Sequence, residues 1–428
     1  TCFLHYGWVM KVVGKRRTTM DSITIALLVA SAFSAVAQEA PVRAANLPVI
    51  GEGSAGRGGA EDRPSFQSAK PVWPEGRETD KNLTVGFRAA FESPAGEKVL
   101  LRATGSTLYR IFINGAFLGH GPARGPHGWY RVDEIDLTAK LRPGANVIAF
   151  EVAGYNVNSY YLLDQPSFLQ AEVMAGATVL ASTGGEGGLF EAGVLGERVQ
   201  KVQRYSFQRP FSEVYRLAPG SGRWRAETAA PLAAARCSVQ PPRPLLPRRV
   251  PYCEFTLREP RQIVSTGELK LGLRVERPWK DRSLTGIGSQ LGGFPESELA
   301  TIPSLELQTV ANAASVAIHE PYEPRKPLPM KASTFQIVDF GVNVTGFLGA
   351  HLDCRTKTRL FFTFDEVLSE GDVDFKRLSC VNAVACELDP GAYDVETFEP
   401  YTLRYLKLIA LEGDAEITGV YLRDFATP

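Results

Sequence analysis

Apolar and polar residues alternate in short runs along most of this chain, and runs with a helical period are nearly absent. Residues 98–104 form one such run. Residues 107–113 form another, with Leu108 and Phe112 set against Tyr109, Ile111 and Ile113. A period of two places alternate side chains on opposite faces of a strand. Asn114-Gly115 follows, a pair suited to a type I′ hairpin turn because both central positions need φ > 0. Phe117-Leu118-Gly119 then opens the return strand. Residues 131–137 and 146–152 are further short strands, separated by the turn sequence Leu141-Arg142-Pro143-Gly144. In the last third, residues 336–340, 347–352, 359–364, 405–411 and 417–422 read as strands. Short strands with frequent turn signals predict an all-β chain of tandem β-sandwich, jelly-roll-like domains.

Punctuation between the runs suggests where one domain ends. Residues 38–80 are rich in glycine, proline and charge and predict an irregular lead-in. Five prolines at 241, 242, 244, 247 and 251 make a stiff extended segment. The expected order is a leader at 1–37, the lead-in at 38–80 and a first sandwich at 81–240. A proline-rich linker with strands of open assignment spans 241–332, and a second sandwich spans 333–428. The strands within 255–330 are assigned to the second sandwich. No internal repeat of fixed period is visible.

The N-terminus changes the picture of where the protein works. Met10 is followed by Lys11, Lys15, Arg16 and Arg17, then by an apolar run over residues 23–35 and by Ala35-Val36-Ala37 before Gln38. That order of charge, short apolar run and small residues predicts a secretory signal and a secreted or periplasmic protein. The run is too short for a span, which needs ~20 residues, and no later segment is apolar enough to cross a membrane. The five cysteines beyond it are Cys237, Cys253, Cys354, Cys380 and Cys386. Export permits disulfides, and Cys237 with Cys253 or Cys380 with Cys386 could pair; buried free thiols fit the same positions. With 47 basic and 47 acidic residues, the chain lacks the basic excess of a nucleic-acid binder.

Three segments then carry a family resemblance: Asp339-Phe340-Gly341-Val342-Asn343-Val344-Thr345-Gly346-Phe347, Phe364-Asp365-Glu366-Val367-Leu368-Ser369-Glu370-Gly371-Asp372, and Phe398-Glu399-Pro400-Tyr401-Thr402-Leu403-Arg404-Tyr405-Leu406-Lys407-Leu408. In this order they resemble the β-sandwich that stands before the catalytic barrel in bacterial α-L-rhamnosidases, a glycoside hydrolase family. Tyr109-Arg110-Ile111-Phe112-Ile113-Asn114-Gly115, Asp136-Leu137-Thr138 and residues 141–148 are similar to the N-terminal sandwich of the same enzymes. The family's Gly-Trp-Thr-x-Tyr element stands here as Gly128-Trp129-Tyr130. The resemblance implies an (α/α) barrel carrying the catalytic acid and base, with no counterpart up to Pro428. The chain is therefore expected to be the non-catalytic N-terminal portion of such an enzyme. Its partners would be a rhamnose-containing glycan and a barrel supplied in cis or in trans.

The residues themselves offer little catalytic chemistry. Inverting glycoside hydrolysis needs two carboxyls ~6.5–9.5 Å apart across one bond. Asp365 and Glu366 are neighbours on a strand and are expected to face opposite ways. Asp372 and Asp374 are expected to be solvated in a turn, and Asp133, Glu134 and Asp136 to be surface carboxylates. His120 and His127 bracket an expected loop, Gly121 to Pro126. No HExxH or zinc spacing, P-loop or nucleophile elbow occurs, so neither metal nor cofactor is expected. The carbohydrate-binding candidates are Trp129, Tyr130, Tyr155, Tyr160 and Tyr161, with Asn156 and Asn158. Aromatic rings stack on the apolar face of a sugar, and amides bond its hydroxyls. The same rings could instead pack a sandwich.

Overall fold

The computed structural model describes residues 64–427 apart from 186 and 287–291. The expected leader and residues 38–63 lie outside it. Among the described residues no helix is long and apolar enough to cross a membrane. The chain is all-β, built as two sandwiches.

In the first sandwich one sheet runs in the order Gly188–Leu189, Thr178–Ser182, Phe168–Ala175, Val99–Ser106, Tyr130–Asp136 and Leu245–Pro247. Val72–Pro74 and Cys237–Val239 join it beside Phe168–Ala175. The facing sheet runs Glu191–Val194, Leu83–Ser93, Gly144–Gly154, Leu108–Ile113 and Ala116–Gly121. Alternation decides what lies between them. Leu83, Val85, Phe87, Ala89 and Phe91 enter the core with Leu101, Ile111, Phe150 and Val173, and Trp73 closes one end. The hairpin at Asn114-Gly115 forms as expected, with φ of 50° and 83° at the two positions and Ile113 paired to Ala116.

The second sandwich is one eleven-stranded sheet folded over on itself. Its main path is Glu213–Leu217, Ala383–Leu388, Thr358–Asp365, Tyr401–Glu412, Thr334–Cys354, Gln262–Lys270 and Ala311–Pro321. Thr334–Cys354 is 21 residues long and belongs to both layers. Its first part pairs with Tyr401–Glu412 and Gln262–Lys270, its last part with Ala415–Asp424 and Gly391–Glu396. The register breaks between Asp339 and Val344, and this is where the strand turns the corner. Gly341 takes φ of 82°, a region open to glycine at little cost. Its N–H donates to Asp339 Oδ1 at 2.6 Å. Arg404 grips both Asp339 oxygens at 2.8 and 2.9 Å and holds that carboxyl below its usual range, against the opposing effect of burial.

Thr358–Asp365 and Ala383–Leu388, in the middle of this path, are covered on both faces and so read as nearly continuous apolar runs. Leu360, Phe362, Phe364, Leu406 and Leu408 fill the interior of the second sandwich. Phe361, Ala385, Ile409 and Leu411 on the other face lie under Tyr155, Phe211 and Leu307. Chain order and sheet membership part company here. Glu213–Leu217 leaves the first sandwich to pair in parallel with Ala383–Leu388, while Leu245–Pro247, in the expected linker, returns to it. Val72–Pro74 is a strand inside the expected irregular lead-in. Strand pairing is non-local, and composition along the chain does not reveal it. The strands Gln262–Lys270, Ala311–Pro321 and Leu328–Met330 do belong to the second sandwich. The five described cysteines are free thiols, so neither disulfide forms.

Two outcomes follow from this architecture. Asp339→Ala removes the corner clamp and is expected to lower stability by roughly 1.5–3 kcal/mol, the range for hydrogen bonds to a charged group, measured by denaturant unfolding. The edge strand Ala311–Pro321 is exposed at every position but Ile318, and among the described residues it pairs only with Gln262–Lys270. A long exposed edge whose one ionised side chain, Glu320, stands near its end is a template for further pairing. The chain should self-associate with rising concentration, and Val316→Lys should suppress this in light scattering.

Candidate functional site

The outward face of the Leu108–Ile113 sheet meets the second sandwich, and charge decides how. Arg110 and Glu151 sit opposite each other on paired strands. Both side chains are buried, at 6% and 5% exposure. Arg110 Nε donates to Glu151 Oε2 at 2.9 Å. Arg110 Nη1 donates to the carbonyls of Glu396 and Thr397, each at 3.1 Å, in the other sandwich. Arg225 binds the second Glu151 oxygen. Burial works against the charge of Glu151, but the two guanidinia outweigh it and hold the carboxyl below its usual value.

A second buried carboxylate organises the adjoining turn. Glu213 accepts from the backbone N–H groups of Phe398 and Glu399 at 2.7 and 2.9 Å and from the Tyr401 hydroxyl at 2.9 Å. Glu399 Oε2 then accepts from Arg209 at 3.2 Å and from the Tyr161 hydroxyl at 3.3 Å. Burial and Glu399 together push the Tyr161 hydroxyl up. The segment resembling the rhamnosidase sandwich at 398–401 is thus pinned by a glutamate almost two hundred residues earlier.

Three of the expected sugar-binding residues are buried. Tyr155 is 0% exposed, and its hydroxyl accepts from Arg198 at 3.2 Å. Asn156 is buried; its Nδ2 donates to the carbonyls of Glu78 and Asp80 and to Ser167 Oγ. Tyr130 is buried with its ring 4.8 Å from that of Phe168. None of the three offers a free face to a ligand, because each fills or ties a sandwich edge. Asn158 caps its own loop, accepting from Asp164 N–H at 2.9 Å. Tyr161 is half-buried with the Arg124 guanidinium 4.9 Å over its ring. Trp129 and Tyr160 remain exposed, at 38% and 70%, and Tyr160 leans on Phe207 at 5.3 Å.

The carboxylates also differ from expectation. Asp365 and Glu366 do not face apart. The strand ends at Asp365, so alternation stops there, and both bind Arg377 at 2.6–2.8 Å. Asp133 is buried, paired with Arg248 at 2.6 Å and accepting from the Tyr109 hydroxyl at 2.7 Å. Asp372 is not merely solvated: it binds Lys407 at 2.8 and 2.9 Å. His120 lies on the strand Ala116–Gly121, among the rings of Phe347, Phe425 and Phe398 at 5.1, 5.5 and 6.0 Å. Burial, with Arg110 and Arg248 nearby, drops its pKa to about 3.

Between the sandwiches lies a cleft of about 540 Å³. Phe112, Phe117, Glu151, Arg198, Tyr393 and Arg423 are among the residues that line it. Sequence reasoning missed it, since its residues come from eight separate stretches of chain between Thr84 and Arg423. Arg110 sits inside a segment singled out by resemblance, but nothing local marks it as a junction residue.

The architecture has relatives among solved structures. The chain is similar to a GH78 family rhamnosidase of Bacillus sp. GL1, with a TM-score of 0.67 and 16% identity over 85% of this chain and 56% of that one. It therefore spans little more than half of that protein's length. An α-L-rhamnosidase of Streptomyces avermitilis, solved with L-rhamnose, matches at a TM-score of 0.46 and 16% identity, over 81% of this chain and 29% of that one. No family model matches the sequence, and no curated protein matches it. At these identities the shared property is the fold: this chain has the β-sandwich fold found within a rhamnosidase chain.

His120 sets an acid limit on stability. Its folded pKa lies below the unfolded value of 6.5. Its contribution is complete above pH 6.5 and is lost as pH falls towards about 3, because the unfolded chain then binds a proton that the native state refuses. The slope from this one group is at most about 1.4 kcal/mol per pH unit. His120→Phe should flatten the decline in melting temperature between pH 6 and 4 by that single proton, read by calorimetry.

Proposed function

We propose that this chain is the non-catalytic β-sandwich portion of an exported α-L-rhamnosidase-like glycoside hydrolase. It supports an (α/α) barrel, attached or separate, that would invert the linkage of terminal α-L-rhamnosides as it cleaves them. The observation that carries this reading is the structural match to part of a rhamnosidase chain, together with the three motif segments at 339–347, 364–372 and 398–408. The motifs do structural work here. Asp339 and Gly341 make the corner of the long strand, Asp365 and Glu366 clamp Arg377, and 398–401 is the turn held by Glu213. Two sandwiches locked by buried charge make a stiff base for a further domain. Asp133, Asp365 and Glu366 are each committed to an arginine, which favours a supporting role.

A second reading, a free-standing carbohydrate-binding protein, is favoured by Trp129 and Tyr160, whose rings stand exposed in loops. Trp129→Ala and Tyr160→Ala would then weaken sugar binding in a calorimetric titration.

The first reading predicts that residues 38–428 show no turnover of aryl α-L-rhamnosides above the uncatalysed rate. Turnover that disappears in Asp365→Asn or Glu366→Gln would overturn it.

A further inference from the structure

The buried wall of the cleft between the sandwiches holds more donors than acceptors. Alternation along the strands of the first sandwich turns Thr84, Arg110 and Glu151 outward, into this junction. Arg110 and Arg225 share one carboxylate, Glu151. Glu396 is shared too: Arg423 binds it at 2.9 Å, and Arg110 stands 3.9 Å away. Arg198 lines the same cleft at 6% exposure. It has no ion pair among the described residues, and its one hydrogen bond runs from Nη2 to the Tyr155 hydroxyl at 3.2 Å. Its Nε and Nη1 are buried without a partner, and so are Arg225 Nε and Thr84 Oγ1.

The rings of the cleft are already faced by these cations. Arg198 and Arg110 stand over the Phe398 ring at 4.6 and 5.3 Å, Arg225 over Phe112 at 4.7 Å and Arg423 over Phe117 at 4.4 Å. A ring face attracts a cation but is a weak acceptor for its N–H groups. Two carboxylates temper Arg198 without pairing with it. Glu213 is taken up by the Phe398 and Glu399 N–H groups and by the Tyr215 and Tyr401 hydroxyls. Glu197, half-buried in the cleft lining, accepts from the Arg216 N–H through its backbone carbonyl; burial raises its carboxyl pKa.

A guanidinium has donors and no acceptor, so whatever completes these groups must bring acceptors. A buried cation with no ion-pair partner is also costly, and a negative charge offsets that cost. We infer that the cleft binds a small organic oxyanion, a carboxylate or phosphate monoester of about monosaccharide size, with Arg198 as its charge partner and Thr84 and Arg225 adding hydrogen bonds. The volume of about 540 Å³ lies within the ~300–1,000 Å³ usual for small-ligand sites. The unpartnered atoms are shielded from bulk solvent, so the ligand meets them as side chains of the wall adjust, a common change on binding. An anion site here is independent of the supporting role, which the rhamnoside hydrolysis assay tests.

The test is calorimetric titration of the whole chain, at low salt, with D-glucuronate, glucose 6-phosphate and, as the neutral counterpart, D-glucose. At least one anion is expected to bind with Kd on the order of 1 mM, and D-glucose at least about tenfold more weakly. Binding of one anion and not the other identifies the head group. Arg198→Met should weaken the anion at least about tenfold. Ser221→Glu, which adds a carboxylate to the cleft lining, should weaken it as well, and it decides the matter if Arg198→Met fails to fold. Glu197→Gln, which removes a negative charge, should tighten binding. Binding of D-glucose as tight as that of the anions, no binding of either anion, or affinity unchanged in folded Arg198→Met or Ser221→Glu overturns the assignment. Weaker anion binding in folded Glu197→Gln overturns it too, because the carboxylate and not the arginine would then hold the ligand.

Discussion

Arg110 is the residue on which the relation between the two sandwiches depends. It starts in the sheet of one domain, is neutralised there by Glu151, and spends its remaining donors on two carbonyls of the other. A buried charge without partners would cost several kcal/mol. The Arg110–Glu151–Arg225 cluster is therefore tolerable only when the strand Leu108–Ile113, the segment around Arg225 and the turn at 396–397 are all in place. Such clusters are weak sources of net stability, but they penalise wrong arrangements heavily. The aromatic seam beside it, where Phe117, Phe255, Phe347 and Phe425 meet ring to ring, supplies apolar burial that the ions do not.

The same logic recurs one layer deeper. Glu213 accepts two backbone N–H groups from the turn at 398–399, where no strand partner exists to take them. These bonds join the parallel pairing with Ala383–Leu388 in tying Glu213–Leu217 to the second sheet. The domains are thus interleaved as well as adjacent, and the cleft between them is a consequence of that interleaving.

Much of the fold was legible. The period-two runs located nine of the twenty-six described strands, Asn114-Gly115 gave the hairpin, and the segment at 339–347 marked a feature that proved to be the corner of a strand. These signals are local: side-chain alternation, turn chemistry and a glycine needed at positive φ act within a few residues. The candidate site was much less legible. Tyr130, Tyr155 and Asn156 looked like binding residues because aromatic and amide groups in loop-like sequence suit sugars, yet the same groups suit a buried edge, and burial is set by distant chain.

What the sequence determined by itself was the class of structure, the positions of about a third of the strands and the likeness of its segments to the sandwiches of rhamnosidases, because each rests on short-range periodicity or contiguous pattern. What only the tertiary structure decided was the partner of every charge. Asp365 and Glu366 share Arg377 because a strand ends between them, Asp133 sinks beside Arg248, and Asp372 is held by Lys407. A charged side chain reads alike in sequence whether it is solvated, paired or waiting for a ligand. The difference is which groups, a hundred or more residues away, the sheets bring within hydrogen-bonding distance.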